Sequence, residues 1–142
     1  MSLPVEVFCP REVGEREWGR EILIAHTPQF IGKILLMKAG KAGGLQQHRE
    51  KVEAFFLDEG QAWVDYDAGD GKLTRLVMST GMTVQVPAGA THRVTAITDC
   101  KFLEVSTPHF NDRIRVEVEY GEPEVGGLPT THTPLADGTG QP

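Results

Sequence analysis

Between Glu21 and Tyr120 the apolar residues alternate with polar ones in short runs, and no stretch shows the three-to-four spacing that marks an amphipathic helix. The runs are Glu21 to Ala25, Ile31 to Lys38, Val52 to Leu57, Ala62 to Tyr66, Leu73 to Val77, Met82 to Val86, His92 to Ile97, Lys101 to Ser106 and Arg113 to Tyr120. Turn-forming Gly, Pro, Asp and Asn residues separate them, so the chain predicts an all-β sandwich or barrel, most naturally a double-sheet jelly roll. A length of 142 residues supports one domain. We place the barrel at residues 21–120, after an N-terminal arm over residues 1–20. Residues 121–142 hold five Gly and four Pro and little to bury, so a flexible tail is expected there, with His132 as a bystander.

Two segments interrupt this pattern with groups that bind metals: Gly40-x5-Gln46-x-His48-x4-Glu53-x6-Gly60 and Gly81-x5-Pro87-x-Gly89-x2-His92. Residues two apart on a strand share a face, so Gln46 and His48 point the same way while Glu53 has the opposite parity. A break of phase is therefore required between them. The polar stretch Arg49-Glu50-Lys51 supplies it, read here as a hairpin turn, with a new strand starting near Val52. In the second segment Pro87-Ala88-Gly89-Ala90 is the turn, and His92 follows in phase with Val94 and Ala96, facing the interior. The amide of Gln46, the imidazoles of His48 and His92 and the carboxylate of Glu53 suit one divalent transition metal, Zn, Mn, Fe or Ni. One or two positions would remain for water or substrate. Singly, each of these residues reads more simply as structural; the ordered pair of segments is what argues for a metal.

Lys and Arg number 14 against 20 Asp and Glu, a net charge of −6, which argues against nucleic acid or an anionic membrane surface as partner. The first ten residues lack the basic and apolar regions of a secretory signal, and no run reaches a membrane span, so a soluble, cytoplasmic protein is expected. Cys9 and Cys100 read as reduced thiols.

The two segments resemble the paired signature motifs of the cupin superfamily, with Gln46 in a position where cupins usually have histidine. Further matches are Arg16-x-Trp18-Gly19, Lys33-Ile34, Leu103-Glu104-Val105-Ser106-Thr107-Pro108, Asp112-x-Ile114-Arg115 and Tyr120-Gly121. Together they make the chain similar to small mannose-6-phosphate isomerase-like cupins of the type II kind across about residues 16 to 121. The family departs from this chain at Lys51, at Ala54-Phe55 and at Glu122, where it tends to have Arg, His-Trp and Arg. The resemblance implies the cupin jelly roll, a small-molecule ligand of the carbohydrate class, and a homodimer.

That resemblance implies moving a sugar carbonyl between adjacent carbons, which needs a metal as Lewis acid for the enediolate and a base near the carbon. Glu50 and Lys51, in the turn beside the ligands, are the candidate catalytic residues, and Lys51 is also a candidate holder of an anionic group. Lys33 is the candidate basic contact to substrate, because Arg93 neighbours His92 and should face away from it. Phe55, Trp63 and Tyr66 are candidate pocket walls. Two other readings stay open. His48, His92 and Glu53 also fit a non-haem iron dioxygenase, and a sugar- or effector-binding module without catalysis uses the same residues.

Two peripheral features are read as structural. Asp65, Asp67 and Asp70, with Gly69 and Gly71, lack the length and closing glutamate of a calcium loop and read as a solvated turn. In the last run Arg113, Arg115, Glu117 and Glu119 share one face, expected to be exposed on an edge strand.

Overall fold

The computed structural model describes residues 1–124. Eleven strands follow in chain order: β1 Arg11–Arg16, β2 Gly19–His26, β3 Ile31–Met37, β4 Gln46–His48, β5 Glu53–Glu59, β6 Ala62–Asp67, β7 Leu73–Met78, β8 Thr83–Val86, β9 His92–Ala96, β10 Cys100–Ser106 and β11 Arg113–Arg115. They form a six-stranded sheet, ordered β1-β2-β3-β10-β5-β8, and a five-stranded sheet, ordered β11-β4-β9-β6-β7. Every paired neighbour is antiparallel. This is the expected jelly roll, and among the described residues no helix is long and apolar enough to cross a membrane.

The core follows from the alternation. On β10, Cys100, Phe102, Glu104 and Ser106 are buried while Leu103 and Val105 are not, and β5 buries Glu53, Phe55 and Leu57 in the same manner. Leu57, Ala62, Val64, Met78 and Phe102 close the apolar centre between the sheets. Burying each larger side chain contributes about 1.5–3 kcal/mol. Gly60 closes the β5–β6 turn at φ +101°, and a Cβ there would stand 2.3 Å from the Asp99 carbonyl oxygen, so no other residue fits without moving the backbone.

Three expectations are corrected. First, Arg11–Arg16 lies inside the expected arm but pairs with β2 as the edge of the six-stranded sheet. Second, the last run is a strand only over Arg113–Arg115, because the Glu117 carboxylate turns inward to accept the Leu45 N–H at 2.9 Å and the Arg115 guanidinium at 2.8 Å. Glu117 is therefore buried rather than exposed, and the chain leaves through a short 3-10 turn, Val118–Tyr120. Third, Asp65 is no part of a solvated tip: it is buried between Arg75 at 2.9 Å and Arg93 at 3.6 Å. The tip itself is organised by Asp67, which accepts the N–H groups of Gly69 and Gly71. Cys9 is exposed and Cys100 buried, and both are free thiols. Of the tail, residues 125–142, His132 included, lie outside the described residues.

Candidate metal centre

The metal-binding groups come from both sheets. His48 ends β4 and His92 begins β9 in the five-stranded sheet, whereas Glu53 begins β5 in the six-stranded one. The turns that sequence parity reads as hairpins are therefore crossings between sheets, since β4 never pairs with β5, nor β8 with β9. Parity records a break of phase but not whether the next strand pairs beside the last one or faces it. The first crossing is fixed by Asp112, whose Oδ2 accepts the N–H groups of Glu50 and Lys51, each at 2.8 Å. The second is fixed by Gly89, at φ +82°, which donates its N–H to the His48 carbonyl at 2.8 Å. As a result His48, Glu53 and His92, all buried, bring one ligand atom each within 4.8 Å of one another.

The donor set fits a cation. His48 Nδ1 is buried without a hydrogen-bond partner, which costs about 1–3 kcal/mol if nothing binds it. His92 Nδ1 lies 3.1 Å from the Ala90 carbonyl and must donate to it, so in the neutral ring Nε2 carries the lone pair. That lone pair meets Glu53 Oε1 at 3.1 Å, so two acceptors face each other unless a proton or a cation lies between them. Burial, assisted by Lys51 and His92 against Glu53, pushes His48 down to about 4. For Glu53, burial alone would raise the pKa, but Lys51 above all, with a hydrogen bond from His92 when a proton lies between them, outweighs it and holds the carboxyl well below its usual range. At neutral pH His48 is then an unprotonated imidazole beside an ionised carboxylate, ready for a metal without first losing a proton. Gln46, opposite His92 in register, lines the same cavity and donates its amide N–H to the Gly44 carbonyl at 3.2 Å. Its oxygen remains an acceptor for a fourth bond.

The cavity around this group measures about 140 Å³. Along one wall runs a line of alternating charges: Arg16 to Glu21 at 3.0 Å, Glu21 to Lys33 at 2.7 Å, Lys33 to Glu104 at 3.9 Å, Glu104 to Lys51 at 3.6 Å and Lys51 to Glu53 at 2.9 Å. Three cations and three carboxylates balance there, so a divalent ion at the histidines would leave the interior positive. Burial drives the Glu104 carboxyl up to about 7, with Lys51 opposing and Glu53 adding to the rise. Lys51 stays charged, since Glu104 and Glu53 more than offset the burial that would lower it.

Of the sequence-expected site residues, Lys33, Lys51 and Phe55 line this cavity and Glu50, Trp63 and Tyr66 do not. Lys51 is drawn inward by its two carboxylates rather than held at the mouth. Glu50 projects outward, its side chain 73% exposed and its carboxylate 3.4 Å from His109 Nε2. Trp63 is on the outer side of its strand with the Arg75 guanidinium 4.1 Å above its ring, and Tyr66 is partly exposed. Arg93 does face away from His92, bonded to Glu122 at 2.6 Å. Glu104 and Glu21 were not among the expected site residues. Both could have been found by parity, Glu104 being in phase with Phe102 and Ser106, and Glu21 with Leu23.

Comparison with known proteins agrees with this architecture. The family described as "Cupin domain" matches residues 33–106. CapF of Staphylococcus aureus, a capsular polysaccharide assembling protein, superposes with a TM-score of 0.67 at 19% identity, over 76% of this chain and 32% of CapF. KdgF from Halomonas sp. gives 0.58 at 20%, over 70% of this chain and 86% of KdgF. Oxalate decarboxylase from Bacillus subtilis gives 0.64 at 15%, over 81% and 34%. The chain thus spans about a third of CapF and of oxalate decarboxylase. No curated protein matches it in sequence.

Proposed function

The chain belongs to the cupin family, and on that premise we propose that it is a metal-dependent enzyme moving a proton beside the carbonyl of a small, polar, carbohydrate-derived molecule, as a sugar or sugar-phosphate isomerase or epimerase does. The observation that carries this reading is Glu104, a buried carboxyl brought to about 7 and joined to Glu53 through Lys51. A general acid–base works best with its pKa near the operating pH. His48, Glu53 and His92, with Gln46, would hold the ion, which supplies Lewis-acid polarisation of a carbonyl oxygen when bound. Glu104 takes the proton from the carbon as its carboxylate and returns it to the neighbouring carbon as the acid. Lys51 stays cationic between Glu53 and Glu104, holding both in place and favouring the ionised base. Lys33, bonded to Glu21 and near Glu104, fixes the far side of the base and adds positive charge for hydroxyl or anionic groups of the substrate. Phe55, edge-on to Phe102 at 5.8 Å, closes the cavity floor against water. CapF, by name a polysaccharide-assembling protein, supports the carbohydrate class.

Protein loaded with Zn or Mn under nitrogen should exchange solvent deuterium into the carbonyl-adjacent position of a sugar or sugar phosphate, as read by proton NMR. A screen with no exchange on any such compound would sink the reading. The donor set of two histidines and one carboxylate favours one alternative, a non-haem iron oxygenase. Oxygen uptake by iron-loaded protein, without isomerisation under nitrogen, would establish it.

A further inference from the structure

A cavity of about 140 Å³ is small for a sugar derivative, since ligand pockets measure roughly 300–1,000 Å³. A second cavity of about 310 Å³ adjoins it. The two share Arg16, Trp18, Gly43, Gly44 and Arg113 as lining, so they meet at the mouth between the two sheets. Each sheet ends there in an edge strand, β1 carrying Arg16 and β11 carrying Arg113 and Arg115. Gly44 is what lets the third guanidinium in: a Cβ on it would lie 2.7 Å from Arg115 Cζ.

Three guanidinium groups thus gather at one junction. Arg16 and Arg115 each have a carboxylate on one side, Glu21 at 3.0 Å and Glu117 at 2.8 Å. Arg113 is half-buried beside them, and burial first, then the charges of Arg115 and Arg16, lower its pKa, with Glu117 and Glu21 offsetting only part of the repulsion. An anion placed among them would relieve that repulsion and accept several charge-assisted hydrogen bonds from planar, forked donors, the arrangement that suits phosphate and carboxylate.

We infer that the substrate spans both cavities, its reacting end at His48, Glu53 and His92 and an anionic group, phosphate or carboxylate, held among Arg16, Arg113 and Arg115 where the cavities meet. This rests on reading the inner cavity as the catalytic metal site, and it narrows the substrate to sugar phosphates or sugar acids. It also gives Glu122 a place. Paired with Arg93, it is among the acidic groups of the outer cavity, so the anion sits at the junction rather than deeper outside.

The test is calorimetric titration at low salt with two probes, inorganic phosphate and malonate, each against wild type, Arg113→Gln, Arg16→Gln and His92→Ala, with metal content measured on every sample. At least one probe should bind wild type and His92→Ala alike, and lose about tenfold or more in affinity in Arg113→Gln and in Arg16→Gln. Arg113→Lys should recover part of that loss, which a folding defect would not allow. Whichever probe binds names the group. Binding that vanishes in His92→Ala would put the anion on the metal and overturn the inference, as would affinity unchanged by both arginine substitutions. Metal content reports separately on the catalytic reading: protein that takes up no metal defeats that reading whatever the anion does.

Discussion

The same strands build two halves of opposite character. Toward one end of the barrel, β5 presents Leu57 and Phe55, β10 Phe102, β3 Met37 and Leu35, and β9 Ala96 and Val94. Toward the other end the same inward faces carry Glu53, Glu104, Lys33 and His92. The first half gains free energy by burial, whereas the second places charges out of water at a cost that their pairing only partly returns. What the contrast teaches is that the apolar half holds the strands in register. That lets the charged half remain poised for a ligand instead of relaxing toward solvent.

Breaking the apolar half should have the largest effect. Phe102→Ala removes a fully buried ring in contact with Phe55 and should destabilise the fold by about 3–5 kcal/mol, read by chemical denaturation. A loss below about 1 kcal/mol would show that this half is not what holds the barrel.

A smaller, pH-dependent effect should come from the charged half. Because the Glu104 pKa is raised in the folded chain, the folded state binds the extra proton between its ordinary value of 4.5 and about 7. The stability linked to that proton is full below the ordinary value and is lost as pH rises through about 7. On the order of 3 kcal/mol is at stake at ~1.36 kcal/mol per pH unit. Glu104→Gln, which cannot titrate, should lose that fall and keep the opposing rise in stability that His48, held down to about 4, gives as pH climbs toward its ordinary 6.5. Without its base the variant's proton exchange should drop at least about a hundredfold. Parallel stability profiles for the variant and wild type would sharpen the picture against Glu104 and toward another titrating group.

The smallest effect on stability should accompany the greatest effect on binding. His92→Ala should lower the stability of the metal-free protein by about 1–3 kcal/mol, because the Ala90 carbonyl loses its donor and the buried Glu53 carboxylate loses a partner. Metal analysis should find most of the ion gone. Metal content equal to wild type would exclude His92 as a ligand.

Alternation and punctuation made the strands and the inward position of His48, Glu53 and His92 legible, since side chains two apart must share a face. The same rule reached Glu104, yet a lone glutamate on an otherwise apolar face looks no different from a solvated one until the facing sheet is known. Lys51 shows the opposite limit. Its place in a polar turn suggests exposure, and only Glu53 and Glu104 approaching from neighbouring strands draw it inward. Glu117 is hidden from local patterning for the same reason: its partner, the Leu45 N–H, is 72 residues away.

By itself, then, the order of residues determined most of the barrel strands, their inward faces and the groups fit to bind a cation, because these depend on backbone periodicity and side-chain chemistry within a few positions. Tertiary structure decided that the two phase-breaking turns cross between sheets rather than fold back as hairpins. It also decided that the charges form one continuous line, and that arginines from two edge strands meet at the mouth. Those outcomes depend on which distant strands become neighbours, and that is settled by the burial of the whole barrel rather than by any segment of it.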